Sequence, residues 1–279
     1  MINFGTIVLA AALILQSGGS ALAQSSTQAS AKQKAIADLK EMAVAGDVKS
    51  QVQLGLAYVT GDGVAKDDSE AVKWLRKAAD QDNAVGERYL AEMYFKGRGV
   101  TADNAEAVKW LRLAAEQDDA ESEHNLAVMY VQGLGVPRNL KEAAKWMHKS
   151  ADQGLPAGEL GLGALYENGE GVPEDPVEAA TWYRKAVAHD NPDAMNNLAL
   201  LLATSRNASL RNPQEAVALA TKAVAARNNP DYVDTLAAAY FAAGQTEKAI
   251  EAEKKALALS PGNESYLKSL QKYLAANGG

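Results

Sequence analysis

The sequence predicts an all-α solenoid built from helix–turn–helix repeats. The chain's four tryptophans lie 36 residues apart, and the same interval separates four tyrosines and four glycine pairs. A fixed period of this length is typical of stacked repeats. Arrays of this kind present an extended surface to a partner more often than a catalytic pocket. The recurring residues are Trp74, Trp110, Trp146 and Trp182; Tyr58, Tyr94, Tyr130 and Tyr166; and Gly61/Gly63, Gly97/Gly99, Gly133/Gly135 and Gly169/Gly171.

Residues 1–23 are predicted to be a secretory signal peptide. They carry no charged side chain, and their apolar run, residues 7–15, is shorter than the roughly 20 residues that span a bilayer. The small residues Ala21 and Ala23 form a cleavage pattern before Gln24. We therefore expect a periplasmic or secreted protein, with no membrane insertion after cleavage. The terminal amine is the leader's only positive charge, so an uncleaved short membrane anchor is the alternative.

Residues 24–46 are predicted to form a polar spacer followed by a single helix. Residues 24–31 consist of Gln, Ser, Thr and Ala, a composition that favours a flexible linker. Ala35, Leu39 and Ala43 then repeat the apolar pattern found 36 residues later in the second helix of a repeat. A lone second helix is therefore expected to cover the N-terminal end of the array.

Residues 47–190 are predicted to form four repeats of 36 residues each. The first helix of the first repeat carries Leu54, Gly55 and Tyr58 at helical spacing. Gly61 follows the helix end, where a glycine adopts the left-handed conformation without steric cost. The small residue at position 55 predicts the close approach of a neighbouring helix, and it recurs as Ala91, Ala127 and Gly163.

The second helix of each repeat is predicted to begin at a capping box. In this motif the cap side chain accepts a hydrogen bond from the N3 amide, and a Glu three residues later reaches back to the cap amide. Ala71, Trp74, Leu75 and Ala78 then define one apolar face, so we interpret the tryptophans as core residues and not as an aromatic binding strip. The four pairs are Asp67/Glu70, Asp103/Glu106, Asn139/Glu142 and Asp175/Glu178.

Two drifted units and a terminal helix are predicted after residue 190. Residues 191–262 have the spacing of two tetratricopeptide-like repeats. Residues 263–279 are expected to form a capping helix that packs through one face and brings the total to fourteen helices. The residues assigned to that face are Tyr266, Leu267, Leu270 and Leu274.

The repeat pattern resembles the Sel-1-like repeat family, which is related to tetratricopeptide repeats. The resemblance rests on Leu54-Gly55-x-x-Tyr58-x-x-Gly61-x-Gly63-Val64 followed by Ala71-x-x-Trp74-x-x-x-Ala78-Ala79. It implies a right-handed α/α superhelix that serves as an adaptor or scaffold. Exported bacterial members are similar in serving envelope functions, signalling or contact with host proteins. Some cysteine-rich members have been described as penicillin-binding or β-lactamase-like, but this chain contains no cysteine.

No catalytic, cofactor or metal site is predicted. Ser265 and Lys268 form a Ser-x-x-Lys near the C-terminal end of the sequence, but the companion motifs of a serine β-lactamase are missing from the sequence. The glycine pairs lack the Lys-Ser/Thr of a phosphate-binding loop, and the three histidines lack metal-ligand spacing. A net charge of −7 without any Lys/Arg run argues against nucleic acid.

The expected function is therefore that of a non-enzymatic adaptor or regulatory scaffold of the bacterial envelope. Its partner would be a protein or peptide, bound on the concave face that the first helices of the repeats line. A penicillin-binding or β-lactamase-like hydrolase and a purely structural envelope scaffold are the alternatives. Oligomeric state, partner identity and use of the convex face stay open. The candidate contact residues, which vary between repeats, are Arg88, Glu92, Phe95, Lys96, His124, Val128, Gln132, Glu167 and Asn196.

Overall fold

The computed structural model describes the backbone of residues 20–278 and the side chains from residue 31 onward, and within this part the chain forms fourteen helices and no strand. This confirms the all-α class and the helix count. The signal-peptide prediction falls largely on residues 1–19, which lie outside the described part. The helices are α1 Ser20–Val44, α2 Val48–Thr60, α3 Asp68–Ala79, α4 Ala84–Lys96, α5 Asn104–Glu116, α6 Ala120–Gln132, α7 Leu140–Asp152, α8 Pro156–Asn168, α9 Pro176–Val187, α10 Pro192–Thr204, α11 Pro213–Ala226, α12 Pro230–Ala242, α13 Thr246–Leu259 and α14 Glu264–Asn277.

The chain divides into two compact units, of which the first ends at Ala78. In this unit α1 packs against α2 and the turn that follows it. Helix α1 includes residues 24–31, which the sequence analysis assigned to a flexible spacer. No Gly or Pro interrupts the chain between Ser20 and Val44, so nothing in this segment ends a helix.

The second unit, residues 79–279, stacks helix pairs, and α14 follows the last pair. We call the first helix of a pair (α4, α6, α8, α10 and α12) inner and the second (α5, α7, α9, α11 and α13) outer. Close packing inside a pair confirms the predicted role of the small residue. A Cβ added at Gly163 would lie 2.5 Å from Cδ1 of Tyr183 on the neighbouring outer helix. The core is made of leucines and alanines that recur at fixed repeat positions, with Leu90, Leu126, Leu162 and Leu198 all buried.

Both glycines adopt positive φ in the turns after α4, α6 and α8, and the second glycine is also sterically required in the turns after α6 and α8. The first glycine ends the inner helix, as predicted, with φ of 69° at Gly133 and 67° at Gly169. A Cβ added at the second glycine would lie 2.1 Å from the carbonyl oxygen of Asn104 for Gly135, and 2.0 Å from that of Leu140 for Gly171. The turns after α6 and α8 are therefore pressed against the first turns of α5 and α7.

The capping-box prediction is half correct. Asp103 caps α5 as predicted, because its Oδ1 accepts from the amides of Ala105 and Glu106 at 2.9 and 3.1 Å. The cap amide, however, donates to the carbonyl of Tyr94 at 3.0 Å, so it does not need the Glu side chain. The freed Glu pairs with a lysine three residues on, as Glu106 does with Lys109 at 3.5 Å. The same cap amide–tyrosine carbonyl bond forms at Asn139–Tyr130 and Asp175–Tyr166.

The tryptophans are core residues to differing degrees. Trp110 and Trp182 are buried, which confirms the prediction for them. Trp74 and Trp146 are only half-buried. A lysine ammonium covers the ring in both cases, with Nζ of Lys77 4.1 Å from the Trp74 centroid and Nζ of Lys149 5.0 Å from that of Trp146.

The packed face of α14 differs from the prediction. Tyr266 and Tyr273 are the buried residues of this helix, whereas Leu267 and Leu274 are 43 % and 48 % exposed. Tyr266, Leu270 and Tyr273 follow i, i+4, i+7 spacing and share the face that contacts α12 and α13. The leucines were predicted on that face because of their hydrophobicity, but the tyrosine rings bury more apolar surface, and the hydroxyl of Tyr266 also donates to Asp231 on α12.

Candidate interaction surface

The nine candidate residues occupy four positions of the repeat, all on one side of the inner helices. On α4 these positions are Arg88, Glu92, Phe95 and Lys96, which follow i, i+4, i+7, i+8 spacing and so share one helix face. We call the corresponding surface of α4, α6, α8 and α10 the inner-helix face. The other candidates are at equivalent positions: His124 and Asn196 correspond to Arg88, Val128 to Glu92, Glu167 to Phe95 and Gln132 to Lys96.

Arg88 forms ion pairs that connect the inner helices α4 and α6. Its Nε lies 3.1 Å from Oδ1 of Asp119 and its Nη1 lies 2.6 Å from Oε2 of Glu121, with only 16 % of the side chain exposed. Asp119 is the N-cap of α6 and also accepts from the amide of Ser122. Arg88 therefore ties α4 to the start of α6 and is not a free anchor for a partner.

The two residues that correspond to Arg88 are recessed. His124 is half-buried, and burial lowers the pKa of its imidazole, so the ring is neutral at pH 7. Its Nδ1 has no hydrogen-bond partner among the described residues. Asn196 is also half-buried, and its Nδ2 donates to Oδ1 of Asn197 at 3.4 Å. These two side chains are therefore partly covered by their neighbours on the inner-helix face and do not project into solvent.

Three further candidates bond or pack inside the chain. Glu92 pairs with Lys96 one turn later at 2.5 Å, an arrangement that exposed helices commonly use. Val128 packs against the core cluster that contains Leu162. Glu167 accepts a hydrogen bond from the hydroxyl of Tyr183 at 2.6 Å. These contacts fix the shape of the face and leave few side chains free to meet a partner.

The side chains that the face presents to solvent are mainly Phe95 and Gln132. Phe95 is 41 % exposed, and Gln132 at the end of α6 is exposed as well. The structure adds Leu200 on α10, which corresponds to Glu92 and Val128 and is 37 % exposed. Leu200 was not among the residues selected from the sequence, although the repeat register gives it the position of Glu92 and Val128.

A ladder of buried carboxyl groups also escaped the sequence analysis. Glu123 is fully buried on α6, and its Oε2 accepts from Nε2 of Gln153, the C-cap of α7, at 2.8 Å. Glu87 and Gln117 make the same bond at 2.8 Å one repeat earlier. In the next repeat Oε2 of Glu159 lies 3.6 Å from Nε2 of His189. The three glutamates and their three partners each recur at 36-residue intervals, so the repeat pattern of the sequence could have revealed the ladder. Each contact joins the start of an inner helix to the end of its outer helix.

Burial alters the electrostatics of this ladder. It raises the pKa of the Glu87 carboxyl to about 7, and the charges of Asp82, Asp119 and Glu116 add to the effect. Burial also raises the pKa of Glu123, while the hydrogen bond from Gln153 opposes that shift. The side-chain amides of Gln117 and Gln153 occupy the Oε2 atoms of Glu87 and Glu123, so these carboxyls are engaged in contacts between helices. The ladder therefore has a structural role.

Nothing in the described residues suggests a metal site or a membrane span. No group of three or more His, Asp or Glu side chains there could hold a metal ion. None of the described helices combines the length and the apolar content that crossing a bilayer requires. Ser265 and Lys268 both lie on the exposed side of α14.

Comparisons with known proteins agree with this architecture. A profile of the Sel1 repeat matches residues 48–83, 84–119, 120–155, 156–191 and 192–228. The fifth match covers part of the segment that the sequence analysis assigned to tetratricopeptide-like repeats. A search of curated proteins found no match.

Two solved structures of Sel1-like proteins are similar to this chain. A protective antigen of uropathogenic Escherichia coli that displays an SLR fold is 31 % identical, with a TM-score of 0.58. The alignment covers 88 % of this chain and 60 % of that one. A Sel1 repeat protein from Oxalobacter formigenes is 26 % identical, with a TM-score of 0.69 and coverage of 86 % and 97 %. The recurring turns, the stacked helix pairs and these matches lead to one conclusion: the chain belongs to the Sel1 repeat family.

Proposed function

We propose that this protein is a non-enzymatic adaptor of the bacterial envelope that binds a protein or peptide on its inner-helix face. Sel1 and tetratricopeptide-like repeat proteins generally mediate protein–protein interaction and are typically non-enzymatic scaffolds. The envelope location rests on the charge-free leader and the small-residue pattern before Gln24.

The observation that carries the choice of face is the exposed aromatic ring of Phe95. Aromatic side chains are frequent anchors in interfaces because they bury a large area at little conformational cost. Phe95 on α4 shares the inner-helix face with Gln132 on α6 and Leu200 on α10, which occupy neighbouring repeat positions and provide polar and apolar contacts. Arg88 and Glu167 hold this surface in shape through bonds inside the chain. A partner would therefore meet a preformed face.

Site-specific photo-crosslinking tests the proposal. A photoreactive amino acid is placed at Phe95 or Gln132 on inner helices, and at Lys109 or Lys145 on outer helices as matched exposed controls. Crosslinked species from envelope extract are identified by mass spectrometry. We expect one partner to be captured from the two inner positions and not from the outer ones. Capture from the outer positions alone would overturn the choice of face, and no capture from any position would favour a purely structural scaffold.

The location has its own test. N-terminal sequencing of the protein recovered from the envelope fraction should give Gln24 as the first residue. An intact leader in that fraction would instead support a membrane-anchored form.

A further inference from the structure

Two carboxyl groups face each other where α14 packs on the last helix pair. Glu253 on α13 is 0 % exposed, and within the described part of the chain its carboxyl group has no hydrogen-bond partner other than the facing carboxyl group of Asp234. The half-buried Asp234 on α12 is the charged group that acts most strongly on it. A buried carboxylate without a compensating partner is costly, and a second carboxylate beside it adds repulsion.

Helix α14 brings hydroxyl groups to this site but no cation. Tyr266 and Tyr273 are its buried residues, and the hydroxyl of Tyr266 donates to Oδ1 of Asp231. Lys272 on this helix is exposed, and its ammonium group lies over the rings of Phe241 and Tyr273. No lysine or arginine among the described residues forms an ion pair with Glu253. The arrangement is thus favourable only when the facing carboxyls hold a proton.

The pKa shifts of these groups follow from the same burial and the same neighbouring charges. Burial, followed by the charge of Asp234, raises the pKa of Glu253 to about 8. Burial also raises the pKa of Asp234. The pKa of Tyr273 is raised to about 12 and that of Tyr266 well above its ordinary value, so both tyrosines stay neutral near pH 9. The carboxyl pair is therefore the group at this contact that changes charge between pH 6 and pH 9.

We propose that α14 is a proton-dependent latch, which is docked while the Asp234–Glu253 pair holds a proton and is released when the pair loses it. Docked α14 covers Val233 and Ala237 of α12 and Ile250 and Ala256 of α13, all of which are buried. Release uncovers this apolar face at the C-terminal end of the array. This latch is separate from the inner-helix face proposed for partner binding, so a test that refutes one proposal leaves the other standing.

The direction of the pH dependence follows from the linkage between proton binding by Glu253 and docking of α14. The docked state binds the proton of Glu253 more tightly than an exposed glutamate does, whose ordinary pKa is 4.5. Docking is therefore strongest in acid and weakens as the pH rises from that value through about 8. Above that range the opening equilibrium becomes independent of pH again.

Hydrogen exchange of the purified full chain tests the latch. Protection factors of amides in residues 264–277 are measured at pH 6 and pH 9, after correction for the faster intrinsic exchange in base. Amides of α10, residues 192–204, serve as the internal reference. Between the two pH values we expect the protection of α14 to fall by about ten- to a hundredfold relative to α10. Equal protection at both pH values, or an equal fall in α10, would overturn the proposal.

Two variants separate the latch from general alkaline destabilisation. Glu253→Gln keeps the size and the hydrogen-bonding capacity of the side chain but cannot ionise, so α14 should stay protected at pH 9. Asp234→Asn is the milder change, because Asp234 is only half-buried, and it should reduce the fall by removing the neighbouring charge. If either folded variant lost protection to the same extent as the unmodified protein, the carboxyl pair would not be the switch.

Discussion

The steric demand at the second glycine of a repeat turn can be tested by replacing Gly171 with alanine. This residue has φ +76°, and the added Cβ would lie 2.0 Å from the carbonyl oxygen of Leu140. Because Cβ atoms essentially never approach other heavy atoms within 3.0 Å, the turn must move by about 1 Å or the first turn of α7 must deform. The left-handed conformation costs an alanine roughly 1–2 kcal/mol, and overpacking adds roughly 1–3 kcal/mol. We expect a total loss of about 2–5 kcal/mol in the free energy of unfolding.

Gly154→Ala is the matched control for this measurement. Gly154 has φ +77°, but a Cβ there meets nothing within 4 Å. It should therefore lose only the roughly 1–2 kcal/mol of the conformational cost. Urea unfolding followed by circular dichroism measures both variants by linear extrapolation. If Gly171→Ala were no more destabilising than Gly154→Ala, the turn would not be pressed against α7 and the packing argument would fail.

Three other substitutions test the core and the carboxyl ladder. Trp110→Ala removes a buried ring and should cost about 3–5 kcal/mol of stability, and an unchanged thermal melt would show that the ring is not core. Gln153→Leu leaves Oε2 of the buried Glu123 without its donor and should cost about 1–3 kcal/mol in urea unfolding. Gln132→Leu at an exposed position should change stability little, and equal effects of the two substitutions would show that the bond between Gln153 and Glu123 does not stabilise the fold. Because the folded-state pKa of Glu87 is raised to about 7 from 4.5, its ionisation opposes folding, so stability should decline as the pH rises between these values, by up to roughly 3 kcal/mol. Glu87→Gln should flatten that decline in urea titrations at pH 5 and pH 8, and an unchanged slope would contradict the assignment.

The fold could be predicted from the sequence because the period repeats the same local chemistry several times. The left-handed conformation of Gly133 and the cap formed by Asp103 depend on neighbours a few residues away. Short-range rules therefore describe them correctly. The close contact at Gly163 could also be predicted, because a small residue that recurs on the packed face of a helix leaves room for a neighbouring helix.

The features that the sequence did not reveal depend on residues far apart in the chain. Arg88 looks like a variable surface residue until Asp119 and Glu121 are placed beside it. Glu123 looks exposed because glutamate usually is, although its bond to Gln153 makes burial possible. In the candidate surface the sequence selected residues that share one helix face, but it could not separate the side chains that project from this face from those that brace it.

The central claim is that the inner-helix face binds a protein partner through Phe95, and an affinity measurement tests it most directly. The partner captured by crosslinking is purified and titrated calorimetrically into the unmodified protein, into Phe95→Ala, and into Lys109→Ala as an exposed control on an outer helix. Loss of an aromatic anchor should weaken binding by about tenfold or more, since 1.4 kcal/mol corresponds to a factor of ten in Kd. The account predicts this loss for Phe95→Ala alone, with Lys109→Ala unchanged. Equal affinities for all three proteins, or a loss only in Lys109→Ala, would contradict it.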